Sequence, residues 1–409
     1  MAAIDDRIPG ARTGPVRDRL AGLDGVRGLA ALFVVLHHCW LLSFPGYPAN
    51  TGPWWTTWLV YGHFAVVVFI VLSGFSLAVS PARNGWQLGS LRRFAHRRAW
   101  RILPPYWAAL VFSLVIAWTL VPQPQEGPPT ARSVVVYGFL VQDLFGAPSP
   151  NGAFWSIAIE AQLYLVFPLM LLVLRRAGAL VMLGAVTAIV STIGLLAPNV
   201  AIVGELMRLT PQFALLFAIG AVAAGVVTGR GGRMPLPLLS VAAAAPVIVL
   251  IVVRGSEWTV GHYFWVDLAL GPAVALLLAG IATGRPTGLV RLLDIRPVRS
   301  LGSFSYSLYL THAPIVVAVS QLLVTPAVGS GLPALLLTLA VAVPLALVVG
   351  RCFASLFELP FQRYRTWPAL RAALGNGPFA VLLRTRRPRP VSSAEEAVTG
   401  QVEPPNTSR

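Results

Sequence analysis

An arginine and a histidine with ten residues between them mark the start and the middle of one apolar stretch. Arg27 precedes the apolar run 29–44, and His38 lies inside that run beside His37. Eleven residues of α-helix rise about 16 Å, and a hydrocarbon core is about 30 Å thick. An arginine at one membrane face therefore holds an imidazole near the midplane. Ionisable groups at that depth are costly and usually functional, so His38 is a candidate for proton chemistry; a histidine satisfied by neighbouring helices is the alternative.

A second group of charged residues is a periodic set of arginines. Arg93, Arg97 and Arg101 are spaced i, i+4 and i+8, so a helix presents them on one face. Three guanidiniums on one face can bind phosphate groups through charge-assisted hydrogen bonds. The same spacing fits a topology anchor on lipid headgroups, and both interpretations stay open.

Two further spans carry polar side chains. Glu160 enters an apolar span with Ser156 one turn earlier and Tyr164 one turn later. A carboxylate inside a span requires a partner, and we interpret Glu160 as functional, with a buried hydrogen bond to a neighbouring helix as the alternative. The segment 302–314 carries a polar stripe and a second midplane histidine, His312. Its serines and threonine could equally serve to hold helices together.

Composition identifies the elements that must position these side chains. Of 409 residues, 56% are hydrophobic and 11% are charged, and the mean hydropathy is +0.72. A soluble protein of this size needs far more charge on its surface, so we predict an all-α, polytopic integral membrane protein. The net charge of +16 lies in loops between apolar runs, which indicates topology and anionic lipid rather than nucleic acid. The two cysteines predict neither a disulfide framework nor a metal site.

About ten apolar runs are long enough to cross a membrane, and the arginines orient them. If the short run 134–145 does not cross and the N-terminus is cytoplasmic, every arginine lies inside except Arg132, Arg208 and Arg254. If that run crossed, every later loop would change side, so the positive-inside rule favours ten spans and two cytoplasmic termini. The predicted spans are about 29–45, 57–80, 104–121, 157–174, 179–197, 209–227, 235–253, 264–282, 303–324 and 333–356.

The membrane domain is predicted to cover residues 20–377. Residues 1–19 are polar, lack the pattern of a signal peptide and are predicted to be disordered in the cytoplasm. Residues 378–409 begin with a basic patch that suits anionic lipid, and they end in a Ser/Glu/Pro-rich stretch that cannot bury a core. We expect a multi-pass protein of the plasma (inner) membrane.

Taken together, these segments resemble the acyltransferase-3 family of integral membrane acyltransferases, from about Leu23 to about Pro360. One departure is that the family often shows two adjacent acids where this chain has Glu160-Ala161. A second is the tail, which is far too short for the hydrolase-like domain that many relatives carry there. The motifs that carry the resemblance are Arg27 with His38, Arg97 with Arg101, the segment 69–75 with Ser73, Trp155-Ser156 with Glu160 and Tyr164, and Ser305-Tyr306 through His312 and Pro314.

The resemblance implies transfer of an acyl group, usually acetyl from acetyl-CoA, to a hydroxyl of a sugar-bearing acceptor, with no bound cofactor. His38 would be the catalytic residue, as a general base or as the acyl acceptor itself. Glu160 would bind acceptor hydroxyls or orient His38. We therefore predict His38 and Glu160 as catalytic, Arg27, Arg93, Arg97 and Arg101 as donor-binding, and Ser73, Tyr164, Tyr306 and His312 as further site residues.

The acceptor and two rival functions stay open. An envelope or exported glycan is the first choice of acceptor, and a secreted metabolite such as a macrolide is the second, because relatives without an added domain include antibiotic-modifying enzymes. A proton-coupled secondary transporter would also use intramembrane His and Glu, but repeat halves are absent and the arginines cluster at one face. A polyprenyl-phosphate-dependent glycosyltransferase is expected to carry an acidic pair in an outer loop, and none is evident in the sequence.

Overall fold

A computed structural model describes residues 20–229 and 234–375, and all regular structure in these ranges is helical. The predicted N-terminal segment, the predicted tail and both Arg230 and Arg233 lie outside the described residues. Eight of the described helices are long and apolar enough to cross a membrane. The helical stretches Ala201–Leu209 and Gln212–Thr228, which meet at an angle of 48°, are long and apolar enough only when taken together as one bent pair. The predicted all-α polytopic membrane fold is confirmed.

The helices differ widely in length, and several continue into short 3₁₀ or π segments. The α-helices are α1 Leu23–Ser43, α2 His63–Arg83, α3 Leu91–Thr119, α4 Ala131–Gly138, α5 Gln142–Phe145, α6 Phe154–Leu196, α7 Ala201–Leu206, α8 Gln212–Thr228, α9 Leu236–Gly261, α10 Tyr263–Ala282, α11 Thr287–Leu293, α12 Arg296–Ser303, α13 Ser305–Val319, α14 Thr325–Val328, α15 Leu332–Phe353, α16 Leu359–Arg363 and α17 Trp367–Gly375. A 3₁₀ helix, Trp54–Tyr61, precedes α2, and another, Met207–Leu209, follows α7. The π segments Ser320–Val324 and Ala354–Glu358 extend α13 and α15.

Helix α6 contains two of the predicted spans. Its 43 residues would rise about 65 Å if straight, roughly twice a hydrocarbon core, and the backbone breaks at Gly178, where φ is 84° and ψ is 174°. A β-carbon on Gly146, before α6, would lie 3.1 Å from Arg208 Nη2, after it. The segments that precede and follow α6 therefore meet on one side of the bundle, which agrees with two crossings within α6.

The short run 134–145 forms α4 of eight residues and α5 of four. At about 1.5 Å per residue, neither helix could cross a hydrocarbon core.

Other loops fall on two sides of the bundle in the predicted pattern. Gly331 N–H donates to Ser43 O over 2.7 Å at one side, and Trp100 Nε1–H donates to Tyr364 O over 2.9 Å at the other. Which side is cytoplasmic remains a prediction.

Glycines allow the helices around the polar residues to approach closely. A β-carbon on Gly74 of α2 would lie 2.1 Å from Phe217 O of α8, and one on Gly220 of α8 would lie 2.1 Å from Val71 O. The same kind of contact joins α1 to α12, since a β-carbon on Gly28 would lie 2.6 Å from Gly302 N. Small residues of this kind are typical of helix interfaces in membranes. The backbones that carry Arg27 and Ser73 are therefore held rigidly.

Candidate active site

Five helices, α1, α2, α3, α6 and α13, enclose a cavity of about 100 Å³, which we call the arginine cavity. Its wall holds three guanidinium groups and a single carboxylate, so its net charge is positive. The polar residues that line it are Arg27, Ser73, Ser76, Arg98, Arg101, Ser156, Glu160, Tyr164, Ser305, Tyr306 and Tyr309.

The carboxylate of the arginine cavity is held by hydrogen bonds from two helices. Ser73 Oγ of α2 donates to Glu160 Oε1 over 2.7 Å. Tyr164, one turn along α6 from Glu160, donates its hydroxyl to the same oxygen, and its hydroxyl lies 3.0 Å from Ser73 Oγ. The predicted partner of Glu160 is thus a pair of hydroxyls, one of them on a neighbouring helix.

The arginines reach the cavity from α1 and α3. Arg27 forms an ion pair with Asp24 one turn earlier, with Nη1 and Oδ1 3.3 Å apart. The guanidinium of Arg98 lies over the rings of Tyr164 and Phe94, 5.8 and 5.9 Å from their centroids. Cations over aromatic faces are held by the quadrupole of the ring. Arg98 Nε is buried without a hydrogen-bond partner among the described residues, so this guanidinium keeps a donor available for an anionic ligand.

A second cavity of about 470 Å³ adjoins the first and shares Leu77 and Arg98 with it. We call it the nucleotide cavity, after the donor-binding role proposed for it below. Arg93 and Arg97 line it together with the polar residues Ser80, Asn84, Gln87 and Ser90. The predicted arginine face is therefore divided: Arg93 and Arg97 line the nucleotide cavity, and Arg101 lines the arginine cavity.

Three imidazoles, His37, His38 and His312, form what we call the histidine cluster. The ring centroids of His38 and His312 are 4.9 Å apart, and those of His37 and His38 are 5.3 Å apart. Each Nδ1 lies 2.7–2.8 Å from a backbone carbonyl oxygen, of Leu59, Val34 and Tyr309 respectively. Because a carbonyl oxygen only accepts, each Nδ1 carries the hydrogen, and the neutral rings keep Nε2 as a free base.

Tyr309 connects the two groups of residues. Its side chain lines the arginine cavity, its hydroxyl lies 2.6 Å from Ser156 Oγ, and its ring centroid is 5.6 Å from that of His312. The Nε2 atom of His312 is buried without a hydrogen-bond partner among the described residues. A polar route therefore leads from the arginine cavity through Tyr309 to the histidine cluster.

The structure brings together six of the ten predicted site residues in the arginine cavity: Arg27, Ser73, Arg101, Glu160, Tyr164 and Tyr306. His38 and His312 lie together in the histidine cluster. The structure does not bring Glu160 to His38, whose Nδ1 is held by Val34 O; an orienting role of Glu160 toward His38 therefore has no contact to support it. Glu160 instead shares a cavity with the arginines.

Arg98 and Tyr309 also line the arginine cavity, although the sequence patterns did not indicate them as site residues. The i, i+4, i+8 pattern selected the face of Arg93, but Arg98 lies on the face of Phe94, the apolar residue of that turn. An apolar residue marks the side of the helix that packs inward, and this signal could have identified Arg98. No group of three or more His, Cys, Asp or Glu within residues 20–229 and 234–375 is placed to hold a metal ion.

The sequence of the chain also matches a known protein family. A family model described as an acyltransferase domain matches residues 20–351. The chain belongs to the acyltransferase-3 family. The matched range contains every predicted site residue, from Arg27 to His312. No solved structure shows a significant match to the chain.

The curated relatives of this family member are bacterial O-acetyltransferases. The putative peptidoglycan O-acetyltransferase YrhL of Bacillus subtilis (strain 168) is 28% identical over 73% of this chain and 49% of its own length. The O-acetyltransferase OatA of Staphylococcus aureus (strain NCTC 8325 / PS 47) is 25% identical over 74% of this chain and 51% of its own. The peptidoglycan O-acetyltransferase OatA of Listeria monocytogenes is 25% identical over 75% and 51%. The chain spans about half the length of these relatives.

Proposed function

We propose that the protein is a membrane O-acyltransferase that moves an acyl group, acetyl in particular, from acyl-CoA to a hydroxyl of an envelope or exported glycan. The main support for this proposal is that the cationic arginine cavity and the free imidazole nitrogens of the histidine cluster occur in the same helical bundle. Three guanidiniums face one carboxylate in the arginine cavity, and His38 follows Arg27 further along the same helix.

Donor binding is assigned to the two adjoining cavities. The phosphates of CoA would lie in the nucleotide cavity against Arg93 and Arg97, because guanidiniums bind phosphate oxygens in a bidentate manner. The pantetheine arm would pass Arg98, which lines both cavities, and bring the thioester into the arginine cavity. A cavity of about 100 Å³ suits a short acyl group such as acetyl.

His38 acts as the general base toward the acceptor hydroxyl. Its Nδ1–H is committed to Val34 O, so the neutral ring offers Nε2 to a proton. His37 is the less accessible ring, since only 8% of its surface is exposed. The acceptor hydroxyl would approach from the end of the bundle opposite the arginine cavity.

The acceptor class is inferred from chemistry and from relatives. The names of two relatives specify peptidoglycan as the acetylated polymer. A glycan of the cell envelope offers the hydroxyls that an ester-forming reaction requires. A protein of the plasma membrane with cytoplasmic arginines would reach both acyl-CoA and such an acceptor.

Acetyl-CoA turnover on the purified protein tests the function. We expect CoA release that requires a glycan acceptor and that is lost in His38→Ala, while acetyl-CoA still binds. Macrolides serve as the comparison acceptor. Absence of both acetyl-CoA binding and CoA release would contradict the proposal.

Cysteine labelling tests the orientation. Starting from Cys352→Ser, which removes the exposed cysteine, cysteines at Arg132 and Arg254 should react with an impermeant reagent from outside. A cysteine at Arg291 should react only from the cytoplasmic side. Labelling of Arg291 from outside would reverse the proposed orientation.

A further inference from the structure

A buried histidine–carboxylate pair lies at the N-terminal end of α2, one turn before Val66 of the arginine cavity. His63, the first residue of α2, has Nε2 2.9 and 3.1 Å from the two carboxylate oxygens of Asp267 on α10. The Asp267 side chain is 0% exposed and that of His63 is 15% exposed. Gln212 Nε2 on α8 lies 3.4 Å from the same carboxylate. Burial of a carboxylate within a membrane bundle is costly and usually functional.

Aromatic rings enclose the pair. The ring of His63 stacks on Tyr263 with centroids 3.9 Å apart and on Trp155 at 6.0 Å. The hydroxyls of Tyr263 and Tyr47 are 3.4 Å apart. The titratable groups that surround His63 on the packed elements are Asp267, Tyr263, Tyr47, Tyr61 and His37. Asp267 is the one carboxylate among them.

The pair adjoins the histidine cluster. A β-carbon on Gly62 would lie 2.2 Å from Cγ of His37, so the backbone just before His63 packs directly against the His37 ring. His37 in turn lies beside His38, with centroids 5.3 Å apart. His38 and His37 are therefore ring neighbours, and His63 is the residue that follows the glycine packed on the His37 ring.

The four imidazoles differ in their partners. His37, His38 and His312 donate only to neutral carbonyl oxygens. His63 Nε2 instead bonds the side-chain carboxyl oxygens of Asp267, which leaves Nδ1 as its free base. A carboxyl group bonded to one ring nitrogen fixes the tautomer of the ring and leaves the other nitrogen for proton transfer. Of these four rings, His63 is the one bonded to a carboxyl group.

We propose that His63 and Asp267 form a proton relay that receives the acceptor's proton from His38 through His37 and returns it to water at this end of the bundle. The relay rests on the proposed acyltransferase function. His63 and Asp267 act through His38, so they are positioning and relay residues rather than groups that touch the substrate.

The acceptor O–H bond breaks, its proton moves to Nε2 of His38, and the acceptor oxygen bonds to the acyl carbon. The thioester C–S bond breaks with its electron pair on sulfur, and CoA leaves as the thiolate, whose negative charge balances the proton that the relay delivers to water. His38 then passes its proton through His37 to Nδ1 of His63, and the neutral His38 is ready for the next acceptor.

Chemical rescue of His63→Ala tests the relay. We expect kcat to fall on the order of 100-fold, the lower end of what a positioned proton-transfer group contributes, with an unchanged KM for acetyl-CoA. Added imidazole should restore much of the lost turnover, because it can carry the proton in place of the missing ring. Asp267→Asn keeps the shape of the side chain and should lower kcat similarly.

The matched control is His262→Ala, an exposed histidine at the same end whose Nδ1 bonds Trp258 O; it should keep the parent kcat. Parent-like turnover in His63→Ala, or a loss that imidazole does not restore, would overturn the relay and leave the pair as a contact between helices. A parent protein that neither binds acetyl-CoA nor releases CoA would instead overturn the function on which the relay rests.

Discussion

The arginine cavity and the histidine cluster hold their polar groups in opposite ways. In the arginine cavity, side chains bond one another: Ser73 and Tyr164 both donate to Glu160. In the histidine cluster, each ring bonds a backbone carbonyl, and two of the three, His38 and His312, bond a carbonyl of their own helix. The first arrangement fixes charge in place, and the second fixes a tautomer while leaving a base free.

Because of this difference, the arginine cavity suits ligand binding and the histidine cluster suits proton transfer. A cavity with three guanidiniums attracts anions at any pH at which a cell lives, because arginine stays protonated. A neutral imidazole with a free Nε2 attracts protons instead. If the two regions have these separate tasks, substitutions in one should change donor affinity and substitutions in the other should change turnover.

The largest expected effect is that of His38→Ala. Loss of a general base typically costs 10²–10⁴-fold in rate, so steady-state kcat should fall by about that factor while the Kd for acyl-CoA stays near the parent value. His37→Ala should retain measurable turnover, with a smaller loss on the order of that expected for His63→Ala, because His37 passes the proton on but does not take it from the acceptor. Some loss of stability is expected as well, because its ring is buried and packs against Gly62. His262→Ala is the control.

Near-parent turnover in His38→Ala would contradict the assignment of proton transfer to His38. His312 would then be the next candidate base, because its ring lies 4.9 Å from that of His38 and its Nε2 lacks a partner among the described residues. The double substitution would decide between the two rings.

Arginine substitutions should give the next largest effect, on binding rather than on turnover. A hydrogen bond to a charged group is worth about 1.5–3 kcal/mol, and 1.4 kcal/mol corresponds to tenfold in Kd. Arg97→Ala and Arg98→Ala should therefore each weaken acyl-CoA binding about tenfold or more, measured by calorimetry. Arg97→Lys should restore only part of the affinity if the contact is bidentate.

Arg92→Ala is the matched control for this series. Arg92 lies on the same helix and is exposed, but it lines neither cavity. Equal losses of acyl-CoA affinity in Arg92→Ala, Arg97→Ala and Arg98→Ala would mean that α3 acts through its total charge, as a lipid anchor does. That result would count against a donor site.

The sequence predicted the residues that share a helix better than those that meet across helices. Glu160 and Tyr164 are one turn apart, so the spacing alone places them together. The partner Ser73 lies 87 residues away, and it entered the predicted set only through the family motif. The pair His63 and Asp267, separated by 204 residues, has no local signal at all.

The break within α6 was predictable from the sequence, but the side of α3 that faces inward was not. The boundary between the spans 157–174 and 179–197 was readable from Arg175-Arg176 and the glycine that follows, and the break lies at Gly178. The side of α3 that faces the cavity was not readable from arginine spacing, because Arg92, Arg93, Arg97, Arg98 and Arg101 cover most of the helix circumference. Packing of Phe94 against Phe167 decides which arginines point inward.

A smaller effect, on stability, is expected from Gly74→Ala. The added β-carbon would lie 2.1 Å from Phe217 O, so α2 and α8 must move apart, and overpacking of this kind costs about 1–3 kcal/mol. Ser73 should move with α2 and weaken its bond to Glu160. Thermal unfolding in detergent should show the loss of stability in Gly74→Ala. Gly184→Ala, whose added β-carbon would have nothing within 4 Å, is the control and should unfold like the parent. Equal unfolding temperatures in the two variants would refute the close contact between α2 and α8.

The smallest effect concerns Asp143, a carboxylate on α5 that does not line the arginine cavity. Burial raises its pKa from 3.8 to about 6, against the opposing influence of a hydrogen bond from Gln162 and the charge of Arg208. A raised carboxyl pKa favours the protonated form in the folded state, so the folded protein loses stability as pH rises from about 4 to about 6. Asp143→Asn resembles the protonated form, and it should raise the unfolding temperature at pH 7.5 but not at pH 4. Because the side chain is partly exposed, the gain should stay below about 1 kcal/mol. A lower unfolding temperature at pH 7.5 would show that Arg208 outweighs burial, and this carboxylate would then resemble Glu160 among its arginines.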